Sequence, residues 1–260
     1  MEKLYKNEFV LDLIATIMFF TRIPVKWSYF SKTPPNLTKA AWAFPLVGFF
    51  IGVLSGLVGD LFIYLGIPIF LSVVIAIAFS VLITGAFHED GLADSADGLG
   101  AGGTPKRINE IIHDSRLGTY GVLSLILGIL IRLGLLLTLI EAGYSLVSIL
   151  SVGFASGKLA ILYTRNSFSH SQYARIGTII GKISFKRLVL ATLIWILPTL
   201  LIFPLNGILL GIILMILISF LLGLKSKKAL GGITGDILGA IAFLTELVFL
   251  FGNIIMVNTN

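Results

Sequence analysis

Cysteine is absent from this 260-residue chain. Its absence excludes a disulfide framework, a thiolate metal centre and a cysteine nucleophile, and leaves any metal to oxygen or nitrogen ligands. The redox compartment stays open. Charge is scarce too: 12% of the residues are Asp, Glu, Lys or Arg, against about 25% in soluble globular chains. With 57% hydrophobic side chains and a mean hydropathy of +1.01, the composition is that of an integral membrane protein. No P-loop, no G-x-G-x-x-G after a strand and no G-x-S-x-G elbow occur, so ATPase and Rossmann chemistry of the usual kinds have no support. The net charge of +6 does not imply nucleic acid, because membrane proteins collect Lys and Arg on cytoplasmic loops.

What the chain has in abundance is apolar runs. A bilayer core of about 30 Å needs about 20 helical residues. Seven windows meet that length approximately, at 40–58, 68–87, 119–140, 144–163, 188–203, 207–224 and 236–257, the fifth interrupted by Pro198. Residues 9–20 are too short to cross and read as an interfacial helix; a signal peptide is disfavoured, since no small-residue cleavage site follows. The expectation is a single all-α, polytopic membrane domain over 1–260, with about seven transmembrane helices. The interfacial helix and a short cytoplasmic helix near 106–112 complete it.

The basic residues test this parse. Lys3, Lys6, Arg22, Lys26, Lys32 and Lys39 precede the first span; Lys106, Arg107 and Arg116 follow the second. Arg165, Arg175, Lys182, Lys186 and Arg187 follow the fourth, and Lys225, Lys227 and Lys228 the sixth. The intervening connections carry neither Lys nor Arg, so the N-terminus and these loops are expected in the cytoplasm and the C-terminus outside. Of the 19 basic residues, Arg132 and Lys158 fall within spans. Lys158 is expected to snorkel, whereas Arg132 needs a partner, for which Glu246 is the candidate. Asp60 and Glu141 read as solvated at the outer surface. Gly48, Gly52 and Gly56 form a small-residue ridge suited to close helix packing.

Only 13 residues are acidic, yet Glu89, Asp90, Asp94, Asp97, Glu110 and Asp114 lie within one stretch of 26. The segment 88–118 is therefore the expected cytoplasmic active-site segment, continuing the second span at its mouth. If the helix persists, Asp90, Asp94 and Asp97 share one face. Carboxylates about 6 Å apart repel by roughly 3 kcal/mol at an effective dielectric of about 20. No cation stands three or four residues away to offset this. A divalent ion would; an all-oxygen set favours Mg²⁺, Mn²⁺ or Ca²⁺ over zinc, and such a site beside a phosphate-bearing substrate most suggests Mg²⁺. The alternative is a solvated acidic helix end. Small neighbours, Gly91, Ala93, Ala96 and Gly98, leave room for a bulky ligand.

A glycine-rich loop, Gly98 to Pro105, follows, either presenting backbone N–H groups to phosphate or acting as a hinge. Pro105 suits a first helical position. Asp114 and Arg116 then bring an acid and a fixed cation together, either as a local ion pair or as part of a site. Gly231 to Ala240 opens the last span on the same side, where Asp236 either caps the helix or serves the site. His88 is a candidate base, metal ligand or interfacial residue.

With these residues in hand, the chain resembles the cobalamin-5′-phosphate synthase family, the adenosylcobinamide-GDP ribazoletransferases. Four segments carry the likeness: Thr21-Arg22-Ile23-Pro24-Val25, His88 to Gly98, Asp114-Ser115-Arg116 with Gly118 to Gly121, and Gly231 to Ala240. The resemblance implies a multi-pass enzyme of the bacterial or archaeal inner membrane that needs Mg²⁺. Such an enzyme joins adenosylcobinamide-GDP to α-ribazole or its 5′-phosphate and releases GMP. For that reaction the residues themselves suggest Asp90, Asp94 and Asp97 as metal ligands, Arg22 and Arg116 on phosphate oxygens, Asp114 or His88 as the base, and Asp236 completing the metal or substrate site. Lipid is the solvent, no nucleic acid is expected, and homo-oligomerisation is left open.

Asp94-x-x-Asp97-Gly98 also looks like the start of the CDP-alcohol phosphotransferase signature. There the Ala-Arg pair is absent, Asp114 falls one residue short, and Gly118 stands where the last carboxylate belongs. A phospholipid-type transferase is thus the runner-up. An ion-coupled secondary transporter is the alternative of another class, disfavoured because the acids crowd one membrane face and no repeat is evident.

Overall fold

The computed structural model describes residues 7–174 and 180–257, so Lys3, Lys6 and Arg175 lie outside the described residues. The chain is all-α; the one β pairing among the described residues is a single bridge between His170 and Ile233. α1 (Glu8–Phe20) starts where the Asn7 side chain accepts from the Phe9 N–H and stops at the extended Thr21. A short α2 (Leu37–Ala40) leads into α3 (Phe44–Tyr64). Then follow α4 (Ile69–Thr84), α5 (Phe87–Ala101), α6 (Pro105–Ile112), α7 (Thr119–Glu141) and α8 (Leu146–Ser167). α9 (Phe185–Ile202), α10 (Leu205–Leu230) and α11 (Gly235–Val257) complete the bundle.

Among the described residues six helical stretches are long and apolar enough to cross a membrane, and seven if the bent pair α4 and α5 counts as one. Six of the seven expected spans are present as single helices; the second, α4, has 16 residues and qualifies only together with α5. α9 runs through Pro198 without ending. One expectation is corrected: the acidic run does not continue the second span. Gly85 and Ala86 both take left-handed conformations (φ +67° and +58°), and α5 leaves α4 at 86°. The glycine-rich loop also shrinks, because Gly98 to Ala101 stay helical and only Gly102 to Thr104 connect to α6. There the Thr104 side chain accepts from the Arg107 N–H, ahead of Pro105.

α8 and α11 form the buried centre, while α7, α9 and α10 turn leucines and isoleucines such as Ile131, Leu201 and Ile213 outward. The glycine ridge of α3 lies directly on the α8 backbone. A Cβ on Gly48 would stand 2.6 Å from the Ala155 Cα, and Gly52 and Gly56 are tighter still against Leu150 and Val147. Because α3 and α8 are antiparallel, as are α8 with α11 and α10 with α11, the Lys- and Arg-rich connections gather at one end of the bundle. The connections without Lys or Arg gather at the other.

Two charged residues behave otherwise than expected. Lys158 does not snorkel: it is buried, with its ammonium over the rings of Phe154 and Phe20 at 4.8 and 5.4 Å. Asp60 is not simply solvated: its two carboxylate oxygens accept from the Leu146 and Val147 N–H groups and cap α8.

Candidate active site

α5 crosses α11 where both are glycine. A Cβ on Gly91 would lie 2.7 Å from the Asp236 carbonyl oxygen and 3.1 Å from the Gly239 Cα, so the two backbones touch. That crossing sets Asp90 and Asp94, one turn apart on α5, beside Asp236 in the first turn of α11. Asp90 is exposed, and Asp94 and Asp236 are half-buried. Asp94 feels the negative charges of Asp90, Asp236 and Asp97, and Asp90 feels that of Asp236. Among the described residues none of the three forms an ion pair.

The rest of Asp236's surroundings fix its position. Thr234, not Asp236, caps α11, its hydroxyl accepting from the Ile237 N–H. The preceding turn is clamped to the chain leaving α8: Ile233 N–H donates to the Ser169 carbonyl at 2.9 Å, and Ser171 N–H donates to the Ile233 carbonyl at 3.1 Å. Gly232 is where these strands of chain pass so closely that a Cβ would meet the His170 backbone at 2.5 Å.

Asp97 is directed elsewhere. Its buried carboxylate accepts the Gly118 N–H at 2.7 Å and the Gly121 N–H at 2.8 Å, capping α7. Side chains at either glycine would collide with it, which is why both positions are bare. Asp114 and Arg116 form an exposed two-pronged pair, Nε to Oδ1 at 3.1 Å and Nη2 to Oδ2 at 2.8 Å. Arg116 holds the Asp114 carboxyl at about 2, well below the usual carboxylate range. Arg22 lies with its side chain over Gly85, at the turn that opens α5. His88 is buried beside Phe20 and Phe87, and its Nε2 has no partner among the described residues.

Beneath the acidic surface lies a group the sequence showed only in part. The expected partnership of Arg132 with Glu246 is present at 2.9 Å, but Arg132 also donates to Glu89 at 2.8 Å. Glu89 read as one more acid of the run. Its burial follows from α5 being an independent helix, which no spacing within the run reveals.

Whether these residues suit a divalent cation can be asked of the chemistry on hand. Among the described residues, no three Asp, Glu or His side chains already converge as a metal-binding group. The donors are nevertheless of the right kind: uncompensated carboxylate oxygens from two helices, with small neighbours and without sulfur.

The structure thus defines an all-helical, multi-pass membrane protein that gathers unpaired carboxylates at the basic end of its bundle. Comparison with known proteins narrows that class. The model of the cobalamin-5-phosphate synthase family matches residues 12–254, and the chain belongs to that family. It is similar to a protein of Azorhizobium caulinodans named adenosylcobinamide-GDP ribazoletransferase, 34% identical over 96% of this chain and 97% of the relative. Proteins of the same name from Clostridium botulinum (35% identical, 92% of this chain and 95% of the relative) and Escherichia coli K12 (36% identical, 91% and 96%) are also similar. No solved structure matches.

Proposed function

We propose that the chain joins adenosylcobinamide-GDP to α-ribazole or α-ribazole 5′-phosphate, releases GMP and depends on Mg²⁺. The observation that carries this reading is the meeting of Asp90, Asp94 and Asp236 without a counter-cation, in a chain matched nearly end to end by proteins of that name. Asp90 and Asp94 would hold the ion, with Asp236 opposite and Asp97 reaching it only by giving up part of its cap. A bound divalent cation neutralises charge on the diphosphate and on the departing GMP.

The chain's own residues supply the rest. Arg22, beside the turn into α5, and Arg116, paired with Asp114, bind phosphate oxygens. Phosphoryl transfer gains most from such positioning and charge stabilisation, and little from a base. Of the two proton acceptors suggested by the sequence, Asp114 is weakened by Arg116, which leaves His88 as the one whose loss should alter the pH–rate profile. The basic connections share the site's end of the bundle, which supports a cytoplasmic site in the inner membrane of a bacterium or archaeon.

Incubating the purified chain with Mg²⁺, adenosylcobinamide-GDP and α-ribazole 5′-phosphate tests this. GMP and adenosylcobalamin 5′-phosphate should form in equal amounts. Turnover only of a CDP-linked donor would instead identify a phospholipid-type transferase, and transport without any GMP would abandon the enzymatic reading.

A further inference from the structure

We propose that Arg132 is a positioning residue: by tying Glu89 on α5 to Glu246 on α11, it sets the register that aligns Asp90 and Asp94 with Asp236. The inference rests on the reading that these three carboxylates form the site.

Three observations lead to it. α5 is joined to α4 only through the left-handed Gly85 and Ala86, so its direction is not inherited from the spanning helix. Its crossing with α11 is glycine on glycine, Gly91 with Gly239, where backbone meets backbone. Beyond that crossing, two charged side chains fix α5 by hydrogen bonds. At its end, Asp97 takes the Gly118 and Gly121 N–H groups; at its beginning, Glu89 takes the Arg132 Nη1 at 2.8 Å.

Asp97 anchors α5 to α7 alone. Arg132 reaches further, because its Nη2 bonds Glu246 at 2.9 Å and so links α5 to α11, the helix that carries Asp236. Its guanidinium is fixed in turn by the Phe243 ring, 4.3 Å away, and by Phe154 of α8 at 5.5 Å. Glu89 is the immediate neighbour of Asp90. A slip of one residue along α5 moves each side chain by about 1.5 Å and turns it by about 100°, enough to carry Asp90 and Asp94 off the face they share with Asp236.

The chemistry of the group agrees with a geometric role. Buried ion pairs replaced together by apolar residues of similar volume often cost no stability, so charge retained in a core is more simply explained by what it orients. Arg132 Nε and Glu246 Oε1 are buried without partners among the described residues, as expected of a group not arranged to satisfy every donor and acceptor.

The test compares wild type with Glu89→Leu/Arg132→Met/Lys158→Met/Glu246→Leu, which also removes the buried Lys158 ammonium that Glu89 and Glu246 offset and so leaves no charge unpaired, and with Glu89→Asp, which keeps the charges and shortens one arm. Since the chain has no cysteine, Asp94→Cys with Asp236→Cys gives a pair for cross-linking by a short bismaleimide in each background, without metal or turnover. The expected result is a melting temperature near wild type in the quadruple variant, cross-linking at least fivefold slower, and a half-saturating Mg²⁺ concentration for GMP release at least tenfold higher. Glu89→Asp should move the last two readouts in the same direction. Unchanged cross-linking and an unchanged Mg²⁺ response in either variant that folds would overturn the proposal. Slower cross-linking beside a wild type that releases no GMP would retain the positioning role and reject the enzymatic reading.

Discussion

Asp94→Asn should make the metal-free protein more stable while abolishing its activity. In the structure Asp94 sits one helical turn from Asp90 and faces Asp236, with no cation paired to any of them among the described residues. At about 6 Å and an effective dielectric of about 20, each ionised pair repels by about 3 kcal/mol. Asp94 is half-buried and Asp90 is exposed, so solvent screening reduces this to about 1 kcal/mol per pair. Removing the Asp94 charge from its pairs with Asp90, Asp236 and Asp97 at pH 8 therefore stabilises by about 2–3 kcal/mol, or about 4–12 °C in melting temperature. Mg²⁺ should reverse the order, raising the melting temperature of wild type by mass action and leaving Asp94→Asn where it was. Thermal unfolding in detergent with EDTA and then with Mg²⁺ reads both. A destabilised Asp94→Asn without metal, or a wild type indifferent to Mg²⁺, would refute the reasoning.

Asp97→Ala should do the opposite to stability: two N–H groups at the start of α7 lose their acceptor, at a cost of about 1–3 kcal/mol, visible as a lower melting temperature in EDTA. Gly52→Val should destabilise by about 1–3 kcal/mol or fail to fold, because its side chain meets the α8 backbone at Leu150 and Ser151, which cannot rotate away; expression level and thermal unfolding check this. Asp114, with its carboxyl lowered from 3.8 to about 2 by Arg116, contributes whatever the pair is worth in full above about pH 4 and loses it as the pH falls through about 2. Hence any melting difference between Asp114→Asn and wild type should be the same at every pH from 5 to 9, and the variant should weaken substrate binding through Arg116 without changing the shape of the pH–rate profile.

The sequence showed the spans, the α3 ridge and the Arg132–Glu246 pair because each depends on length, spacing or the high cost of a charge in lipid. It did not show the turn at Gly85 and Ala86, since alanine carries no signal for a left-handed conformation. Everything that follows from the turn was hidden with it: α5 as a separate helix, Glu89 buried against Arg132, and Gly91 pressed on Gly239. Asp97 shared a helical face with Asp90 and Asp94 on paper, but the donors that claim it, the Gly118 and Gly121 N–H groups, belong to another helix. Asp60 was misread for the same reason. Periodicity speaks of a residue's own helix and is silent about the open backbone groups of its neighbours. Lys158 lay close enough to its helix end to suggest snorkelling, and only the packing of Phe20 and Phe154 over it explains its burial.

The account depends on a cation held between α5 and α11. Electron paramagnetic resonance of Mn²⁺, used as a stand-in for Mg²⁺, with the purified protein and adenosylcobinamide-GDP measures that most directly. The account predicts a bound ion that Mg²⁺ displaces and that Asp90→Asn and Asp94→Asn each weaken at least tenfold. Equal Mn²⁺ binding in wild type and both variants would contradict it.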